Sequence, residues 1–398
     1  MKFNIKITAG MLLLAVIAFS MSYVAFAADD ITILINGEEL ITSQKAVFVK
    51  KMAFVPMNEV FESLGASVTW NGEKTKASCL YNDAIVTIDI ENSEIIKNGE
   101  KIPFNLEAVA MNGTVMVSLK TVADSLDCSV IWRGEDRIAS IASKKELMKI
   151  HFIDCGHADS IFVQFPNGKC MLVDAAVKDF GESLENFIRE KGYDHIDYVV
   201  ATHPHSDHIG GMSRIIKNFT IGSFYTPNVI RNTPNFRNML NALEEKNYKI
   251  NFISQGDKID IPSYSVRVLS PEKRQYLRMN NYSAVLKIAY NKVSAVLCAD
   301  AETDSEREIL QNESDLKTDV IKVGHHGSFT STSTGFLKAL QPRDAIISVG
   351  KDNEYGYPNK NIINRLKKKG IKIHRTDEDG NITMVTDGYI HIIVPEGK

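Results

Sequence analysis

Three histidines and one aspartate within a span of six residues carry the clearest chemical signal in the sequence. His203, His205, Asp207 and His208 form the pattern H-x-H-x-D-H directly after the apolar run 198–201. Imidazole and carboxylate groups are the usual ligands of zinc-like ions. Alternate residues of an extended loop point to the same side. The loop therefore predicts one ligand pair at His203 and His205, and a second pair, for a neighbouring ion, at Asp207 and His208.

A second group of histidines lies far along the chain. His325 and His326 are adjacent, and no other histidine stands between His208 and His325. Gly210 and Gly211 follow the first group, and glycine there allows the backbone to approach other segments closely. The two groups are expected to meet at one site.

The elements around these residues alternate between strand and helix patterns. Apolar runs at 150–153, 161–165 and 170–173 predict strands, and a turn at Asn167-Gly168 joins the last two. Helices are predicted over 182–191 and 362–369, and the run 198–201 predicts a buried strand. This alternation indicates an α/β domain.

The H-x-H-x-D-H pattern resembles the signature of the metallo-β-lactamase fold superfamily. Further segments resemble its ComEC-like branch, in the order 152–160, 298–302, 322–328 and 353–358. The resemblance covers roughly residues 149–395 and implies a four-layer αββα fold. It also implies two divalent metal ions, with zinc expected and manganese as the alternative.

Residue roles follow from this resemblance. His203 and His205 would bind the first ion, Asp207 and His208 the second, and Asp300 would bridge both. One of His325 and His326 would complete the second site, with His325 preferred. Asp207 and Asp300 are the predicted catalytic residues. The predicted supporting or substrate-contacting residues are Asp154, Asp174, Asn281, Ser328 and Tyr357, with Asp174 orienting a ligand histidine.

Three departures from the family pattern concern the site. Most of the superfamily has a further histidine where this chain has Asn280-Asn281, although the ComEC-like branch generally lacks it as well. The first ion is then short of a protein ligand, so weak occupancy is expected unless water, substrate or Asn281 fills the place. Tyr357 stands where the branch usually has histidine, and His157 stands where it usually has glutamine.

The region before this domain contains an internal repeat. Leu64 and Leu126, Trp70 and Trp132, and Gly72 and Gly134 all lie 62 residues apart. The repeat, over roughly 30–143, resembles the copper amine oxidase N-terminal domain and predicts a small α+β domain. It contains no histidine, so a copper site is not expected. Attachment to the cell wall and a spacer role remain equal alternatives.

The first 27 residues are typical of a signal peptide. Lys2 and Lys6 precede an apolar run, and Ala25-Phe26-Ala27 forms a small-x-small cleavage pattern. An uncleaved membrane anchor is the alternative. No later stretch is apolar enough to span a bilayer. The signal peptide and the repeat predict a protein outside the cytoplasmic membrane, either secreted or attached to the envelope. The five cysteines have no disulfide-framework or metal-site spacing.

Three functions compete. The resemblance implies a phosphodiesterase, and the nuclease role associated with this domain in competence proteins makes nucleic acid a candidate substrate. The formal net charge of −3 gives nucleic acid no support of its own. The alternatives are hydrolysis of another extracellular ester, such as a choline-phosphate or envelope-polymer ester, and a non-catalytic wall-attached binding protein with a vestigial metal site.

Overall fold

The structure, a computed structural model, describes residues 31–49, 52–103 and 106–397. The chain divides into two compact units, Met1–Lys144 and Lys145–Lys398. The predicted signal peptide, residues 1–27, lies outside the described residues. Among the described residues, no helix has the length and apolar character needed to cross a bilayer.

Within its described residues, the first unit contains two short helices and three small sheets. The helices are α1 (Met57–Ser63) and α2 (Leu119–Ser125). The strands are β1 (Thr32–Ile35), β2 (Glu38–Glu39), β3 (Val47–Val49), β4 (Met52–Pro56), β5 (Ser67–Trp70), β6 (Lys76–Tyr81), β7 (Ala84–Asp89), β8 (Glu94–Lys97), β9 (Glu100–Lys101), β10 (Ala108–Met111), β11 (Thr114–Ser118), β12 (Cys128–Arg133) and β13 (Ile138–Ser143). The sheet orders are β12-β13-β1-β2, β10-β11-β4-β3 and β5-β6-β7-β8-β9.

The two sequence repeats meet at the middle sheet. Strands β4 and β11 pair antiparallel, and Val55 lies opposite Val117. These two residues occupy equivalent positions of the repeats, and both are fully buried. Each strand runs directly into a seven-residue helix, so the same strand–helix unit occurs on both sides of this pair. The sequence repeat is thus a structural repeat.

The second unit contains two large sheets. The first-sheet strands are β14 (Met148–Phe152), β15 (Ile161–Gln164), β16 (Cys170–Val173), β17 (His195–Val200), β18 (Thr220–Thr226), β19 (Ile250–Phe252), β27 (Ile382–Thr386) and β28 (His391–Pro395). The second-sheet strands are β20 (Lys258–Ile261), β21 (Tyr264–Ser270), β22 (Val285–Tyr290), β23 (Val293–Leu297), β24 (Val320–Lys322), β25 (Asp344–Ile347) and β26 (Lys372–Arg375). Their orders are β19-β18-β17-β16-β15-β14-β27-β28 and β20-β21-β22-β23-β24-β25-β26.

Helices cover the outer face of each sheet. The helices are α3 (Gly181–Glu190), α4 (Ser206–Ile209), α5 (Met212–Asn218), α6 (Pro234–Glu245), α7 (Thr303–Asn312), α8 (Thr334–Leu340), α9 (Lys360–Lys368) and α10 (Thr376–Asp379). One apolar cluster joins the sheets to each other through residues such as Phe152, Val200 and Leu297. Separate clusters join α3, α5 and α6 to the first sheet, and α7, α8 and α9 to the second. These four layers confirm the predicted αββα fold.

Candidate metal centre

The candidate ligands all follow strands that run parallel to a neighbour. Strands β16 and β17 are parallel neighbours in the first sheet, and Asp174 and the loop beginning at Ala201 follow them. Strands β23 and β24 are parallel neighbours in the second sheet, and Asp300 and the histidine pair follow them. Parallel strands end at the same sheet edge, which is where open α/β sheets place their sites. Sequence-distant side chains therefore converge.

One cluster joins Asp207, His208, Asp300 and His326, whose ligand atoms all lie within 4.8 Å of one another. Asp300 Oδ1 is 3.4 Å from His208 Nε2 and 3.6 Å from His326 Nε2. Asp207 Oδ2 is 3.5 Å from His326 Nε2. We call these four residues the second cluster. Asp207 is partly exposed, and the other three are buried.

A smaller cluster joins His203, His205 and Asp300, and we call it the first cluster. His203 Nε2 is 3.0 Å from His205 Nδ1 and 3.8 Å from Asp300 Oδ2. Asp300 therefore presents Oδ1 to the second cluster and Oδ2 to the first. A carboxylate with one oxygen towards each of two neighbouring groups suits a bridging ligand of two ions.

Unpartnered buried atoms indicate what this arrangement can hold. Within the described part of the chain, Asp300 Oδ1, His208 Nε2 and His326 Nε2 are buried and have no hydrogen-bond partner. A buried polar atom without a partner is costly and is normally satisfied. All three atoms belong to the second cluster and lie close together, so the residues fit a bound cation.

Hydrogen bonds from the Nδ1 atoms of His208 and His326 orient the two imidazole rings of the second cluster. His208 Nδ1 donates to Asp174 Oδ2 at 2.6 Å. Asp174 also accepts from the Thr202 backbone N–H at 2.8 Å and from its hydroxyl at 2.7 Å. His326 Nδ1 donates to the Ser348 carbonyl at 2.9 Å. Because each Nδ1 is used as a donor, each Nε2 is left as a ligand.

The histidine pair is arranged differently from the sequence preference. The sequence favours His325 for the second cluster, but the structure places His326 there. His325 lies on the other side of the carboxylate, with Nε2 3.8 Å from Asp300 Oδ2. Both residues have a positive φ, 50° for His325 and 53° for His326. A positive φ is uncommon outside glycine and concentrates at functional sites. The alternation of side chains along an extended loop, used above for His203 and His205, does not predict it.

Asn281 does not take the place of the missing histidine. Its side chain is buried, and Oδ1 accepts from the Glu302 backbone N–H at 3.2 Å and from Ser305 Oγ at 2.9 Å. It thereby fixes the turn that follows Asp300. The residue that reaches His203 from this segment is Ser283, with Oγ 3.4 Å from His203 Nδ1. The sequence interpretation missed Ser283, because serine carries no ligand signal.

A buried ion pair behind the site was also missed. Lys322 Nζ donates to Asp159 Oδ2, and both side chains are almost fully buried. Asp159 Oδ1 lies 3.6 Å from His326 Nδ1. Asp159 and Lys322 lie inside the segments 152–160 and 322–328, which carry the family resemblance. That resemblance was the sequence signal that could have pointed to them. Their carboxylate and ammonium charges face each other across 163 positions of sequence, a pairing that no local pattern indicates.

Three further predicted residues occupy different places. Asp154 accepts a backbone bond from Gly156 at 3.5 Å, and the structure does not bring it into either cluster. Ser328 is fully buried, and its Oγ accepts from the Tyr357 hydroxyl at 3.1 Å. Tyr357 lines the cleft above the clusters, with its ring 5.8 Å from that of His325.

The two clusters differ in proton affinity. Burial is the largest influence on His203 and His205 and lowers the pKa of both, and the neighbouring cations His208 and Arg231 add to this. Burial also opposes charge on His208 and His326. There the nearby carboxylates, Asp300 first, outweigh it and raise the pKa of both imidazoles. Without metal, the imidazoles of the second cluster therefore hold their protons to a higher pH than those of the first.

Two glycines allow the ligand loop to pack. A Cβ on Gly210 would lie 2.4 Å from the Lys178 backbone nitrogen, and one on Gly211 would lie 2.4 Å from the Ala175 carbonyl oxygen. Neither backbone atom can move aside cheaply. The approach that Gly210-Gly211 predicts is therefore present, and it holds α4, which begins just after His205, against the loop that follows β16.

An open cleft of about 520 Å³ gives access to the clusters. Its lining includes His157, His205, Asp207, Arg231, Asp300, His325, His326, Tyr355 and Tyr357. Side chains from both clusters thus reach one solvent-accessible space. Other cavities lie elsewhere, at β21–β23 and in the first unit, but they contain none of the clustered ligands.

Comparison with protein families now identifies the class. The model of the metallo-beta-lactamase superfamily matches residues 153–351, and the chain belongs to that superfamily. The model of the copper amine oxidase N-terminal domain matches residues 34–141. These matches confirm both predicted resemblances and the assignment to a superfamily of metal-dependent hydrolases.

The similar curated proteins point to one branch of the superfamily. The chain is 32% identical over 251 residues to ComE operon protein 3 of Bacillus subtilis, covering 59% of this chain and 32% of the relative. It is 27% identical over 228 residues to the competence protein ComA of Neisseria gonorrhoeae, covering 57% and 30%. The chain thus spans about a third of the length of these curated relatives. The ComEC-like resemblance is confirmed.

Among solved structures, the metallo-beta-lactamase fold protein YhfI of Bacillus subtilis is similar with a TM-score of 0.43 and 12% identity. That match covers 60% of this chain and 99% of the other.

Proposed function

We propose that the chain is an exported phosphodiesterase that uses water activated at a pair of divalent ions, zinc or manganese. The convergence of Asp300 Oδ1, His208 Nε2 and His326 Nε2 as buried atoms without partners carries the proposal. Hydrogen bonding within the described residues does not satisfy these atoms, whereas a cation would. The vestigial-site alternative is disfavoured, because an abandoned site has no reason to keep buried atoms unsatisfied.

The first cluster would hold one ion and the second cluster the other, with Asp300 shared. A pair of divalent ions bound there would supply an activated water and would stabilise the charge that develops on the attacked phosphate. Asp207 lies at the cleft and would be one of the ligands that hold the second ion. Asp174 and the Ser348 carbonyl hold the ligand imidazoles in their tautomers.

A phosphodiester is preferred to other esters for two reasons. The curated relatives are a ComE operon protein and a competence protein, which favours a nucleic acid as the ultimate substrate. The cleft also contains the guanidinium of Arg231, a group suited to phosphate oxygens. Export rests on the signal-peptide pattern of residues 1–27. In the same proposal, the repeat domain attaches the enzyme to the cell wall.

The test is metal content together with hydrolysis of bis-p-nitrophenyl phosphate by the mature protein. Wild-type protein should bind close to two zinc or manganese ions and hydrolyse the ester, and the double variant His203→Ala/His205→Ala should not hydrolyse it. His195→Ala is the matched control, because His195 is an exposed histidine paired with Asp194, outside both clusters. Wild-type protein that stays metal-free and inert with both metals would refute the proposal.

A panel of substrates distinguishes the proposed function from its alternatives. Single-stranded DNA, RNA, choline-phosphate esters and nitrocefin should be assayed with one preparation. Turnover confined to the choline-phosphate esters would replace the proposal by the alternative of a non-nucleotide extracellular ester.

A further inference from the structure

The cleft wall beside His326 carries three aromatic rings, which we call the stack: Tyr355 is stacked with both His157 and Tyr357, and those two rings are inclined to each other by 36°. The rings of His157 and Tyr355 have centroids 4.7 Å apart and planes at 20°. Those of Tyr355 and Tyr357 are 5.8 Å apart at 22°. The stack adjoins the second cluster, because the His157 ring lies 4.3 Å from that of His326. Tyr355 is 62% exposed, so its ring is accessible at the cleft.

Arg231 occupies the part of the cleft beside the first cluster. It lines the same cleft as His205, and its charge contributes to the lowered pKa of that histidine. Its Nη1 is buried and, among the described residues, has no hydrogen-bond partner. Guanidinium groups with free donors bind phosphate oxygens with strong, directional hydrogen bonds. Arg231 is thus equipped for an anionic group that passes the first cluster.

We propose that Arg231 and Tyr355 select the substrate of this cleft. Arg231 binds a backbone phosphate on the side of the first cluster, and Tyr355 stacks on an unpaired nucleobase on the side of the second. The inference rests on the proposed phosphodiesterase function and narrows its substrate to a single nucleotide strand. Only unpaired, unstacked bases offer their flat faces to aromatic side chains, and such stacking is tolerant of sequence.

The geometry of the stack favours a base over the ammonium group of a choline ester. Sites for quaternary ammonium groups are cages, in which aromatic rings surround the cation on several sides. Here the rings of His157, Tyr355 and Tyr357 are inclined to one another by only 20° to 36°, so they do not surround a cation on several sides. The exposed ring of Tyr355 can instead stack on the face of a nucleobase. The cleft volume of about 520 Å³ is also within the usual range of ligand sites.

The test compares three diesters that share the p-nitrophenyl leaving group: the thymidine 5′-ester, the methyl ester and the choline ester. Tyr355→Ala should lower kcat/KM for the thymidine ester about tenfold relative to the methyl ester, because it removes one base-stacking surface. Tyr355→Phe should restore the ratio. Phe252→Ala is the matched control, since Phe252 is also an exposed aromatic residue (58%) but does not line the cleft.

Arg231 is tested on longer substrates. Arg231→Gln should raise KM for a single-stranded oligonucleotide and reduce the slope of log affinity against log salt by about one, the loss of one phosphate contact. Arg307→Gln is the control, because Arg307 is an exposed arginine that pairs with Asp304 outside the cleft. Wild-type protein should also cleave the single strand faster than the same sequence in a blunt duplex.

The outcomes separate the two proposals. Wild-type protein that is inert on all three diesters would overturn the proposed function and this inference together. An active wild type whose Tyr355→Ala variant loses all three diesters equally, or the choline ester selectively, would overturn the inference and leave the phosphodiesterase intact. An unchanged salt slope in Arg231→Gln would overturn the phosphate contact. Thermal unfolding of each variant shows whether a loss reflects the fold.

Discussion

The two halves of the metal centre are built with unequal support. The second cluster contributes four residues whose ligand atoms lie within 4.8 Å, and three of the four are buried. The first cluster contributes three, and His205 is only half-buried. Behind the second cluster, Asp174 and the Ser348 carbonyl hold both imidazoles at 2.6 and 2.9 Å. Behind the first, His203 has hydroxyl contacts at 3.2 and 3.4 Å.

This difference leads us to expect that two bound ions would serve different purposes. A fully ligated, well-oriented site binds its ion tightly, whereas a site short of ligands keeps positions open for water or substrate. The second cluster is the expected permanent site, and the first is the expected exchangeable site beside the substrate. Metal affinity should therefore differ between the two clusters, and each of the following changes tests that difference.

The largest effect is expected at the residue that the clusters share. Asp300→Asn removes one negative charge from the centre and weakens both sites together. The loss of metal affinity should exceed roughly 100-fold, the upper value for changing only a partner behind a ligand. Metal analysis after dialysis should find both ions depleted. Retention of one ion at full affinity would show that Asp300 does not bridge the clusters.

A pair of single variants should separate the sites. His326→Ala removes a buried ligand of the second cluster, so it should abolish the tight binding event. His205→Ala removes a half-buried ligand of the first cluster and should leave that event in place. Calorimetric titration with zinc or manganese measures both. His325→Ala should be titrated beside them. If this variant loses tight binding and His326→Ala keeps it, His325 is the ligand of the second cluster, as the sequence suggested.

A smaller effect is expected from the carboxylate behind His208. Asp174→Asn should lower the affinity of the second cluster by about 10- to 100-fold, the usual cost of losing such a partner. Asp154→Asn is the matched control, because that carboxylate accepts from the Gly156 backbone and lies outside the clusters. Equal losses in the two variants would mean that the hydrogen bond to His208 is not what matters.

The smallest effect is expected on the release of protons when metal binds. The raised pKa values of His208 and His326 mean that both imidazoles keep protons to a higher pH than free histidine in the metal-free protein. Metal competes with these protons, so affinity at the second cluster should rise with pH over a higher range than at the first. The pKa values of His203 and His205 are lowered instead. Titrations in buffers of different ionisation enthalpy should show more proton release with the tight ion than with the weak one. Equal release at both steps would contradict the contrast.

Much of the fold could be predicted because its signals are local. The strand after the turn at Asn167-Gly168 and the strand before His203 lie close to the predicted runs, and the H-x-H-x-D-H loop places its own ligands. The 62-residue repeat likewise reappears in α1 and α2, the equivalent helices. Asp300 had no local signal and could be named only through the family resemblance.

The remaining site residues depend on tertiary structure. The choice between His325 and His326 depends on two consecutive positive φ values, which residue spacing does not encode. Asn281 was one candidate, beside water and substrate, for the open place at the first ion, but the turn after Asp300 engages its side-chain oxygen instead. The charges of Asp159 and Lys322 meet only when the two sheets pack together. Sequence thus indicates which residues are present, while packing determines which atoms face the site.

One titration tests the central claim most directly. Metal-free protein is titrated with manganese or zinc while metal binding and hydrolysis of bis-p-nitrophenyl phosphate are followed in the same samples. The unequal-cluster account predicts a tight ion that binds with little activity, then a weaker ion whose binding brings hydrolysis with it. Two ions of equal affinity, or full hydrolysis with one ion bound, would contradict it.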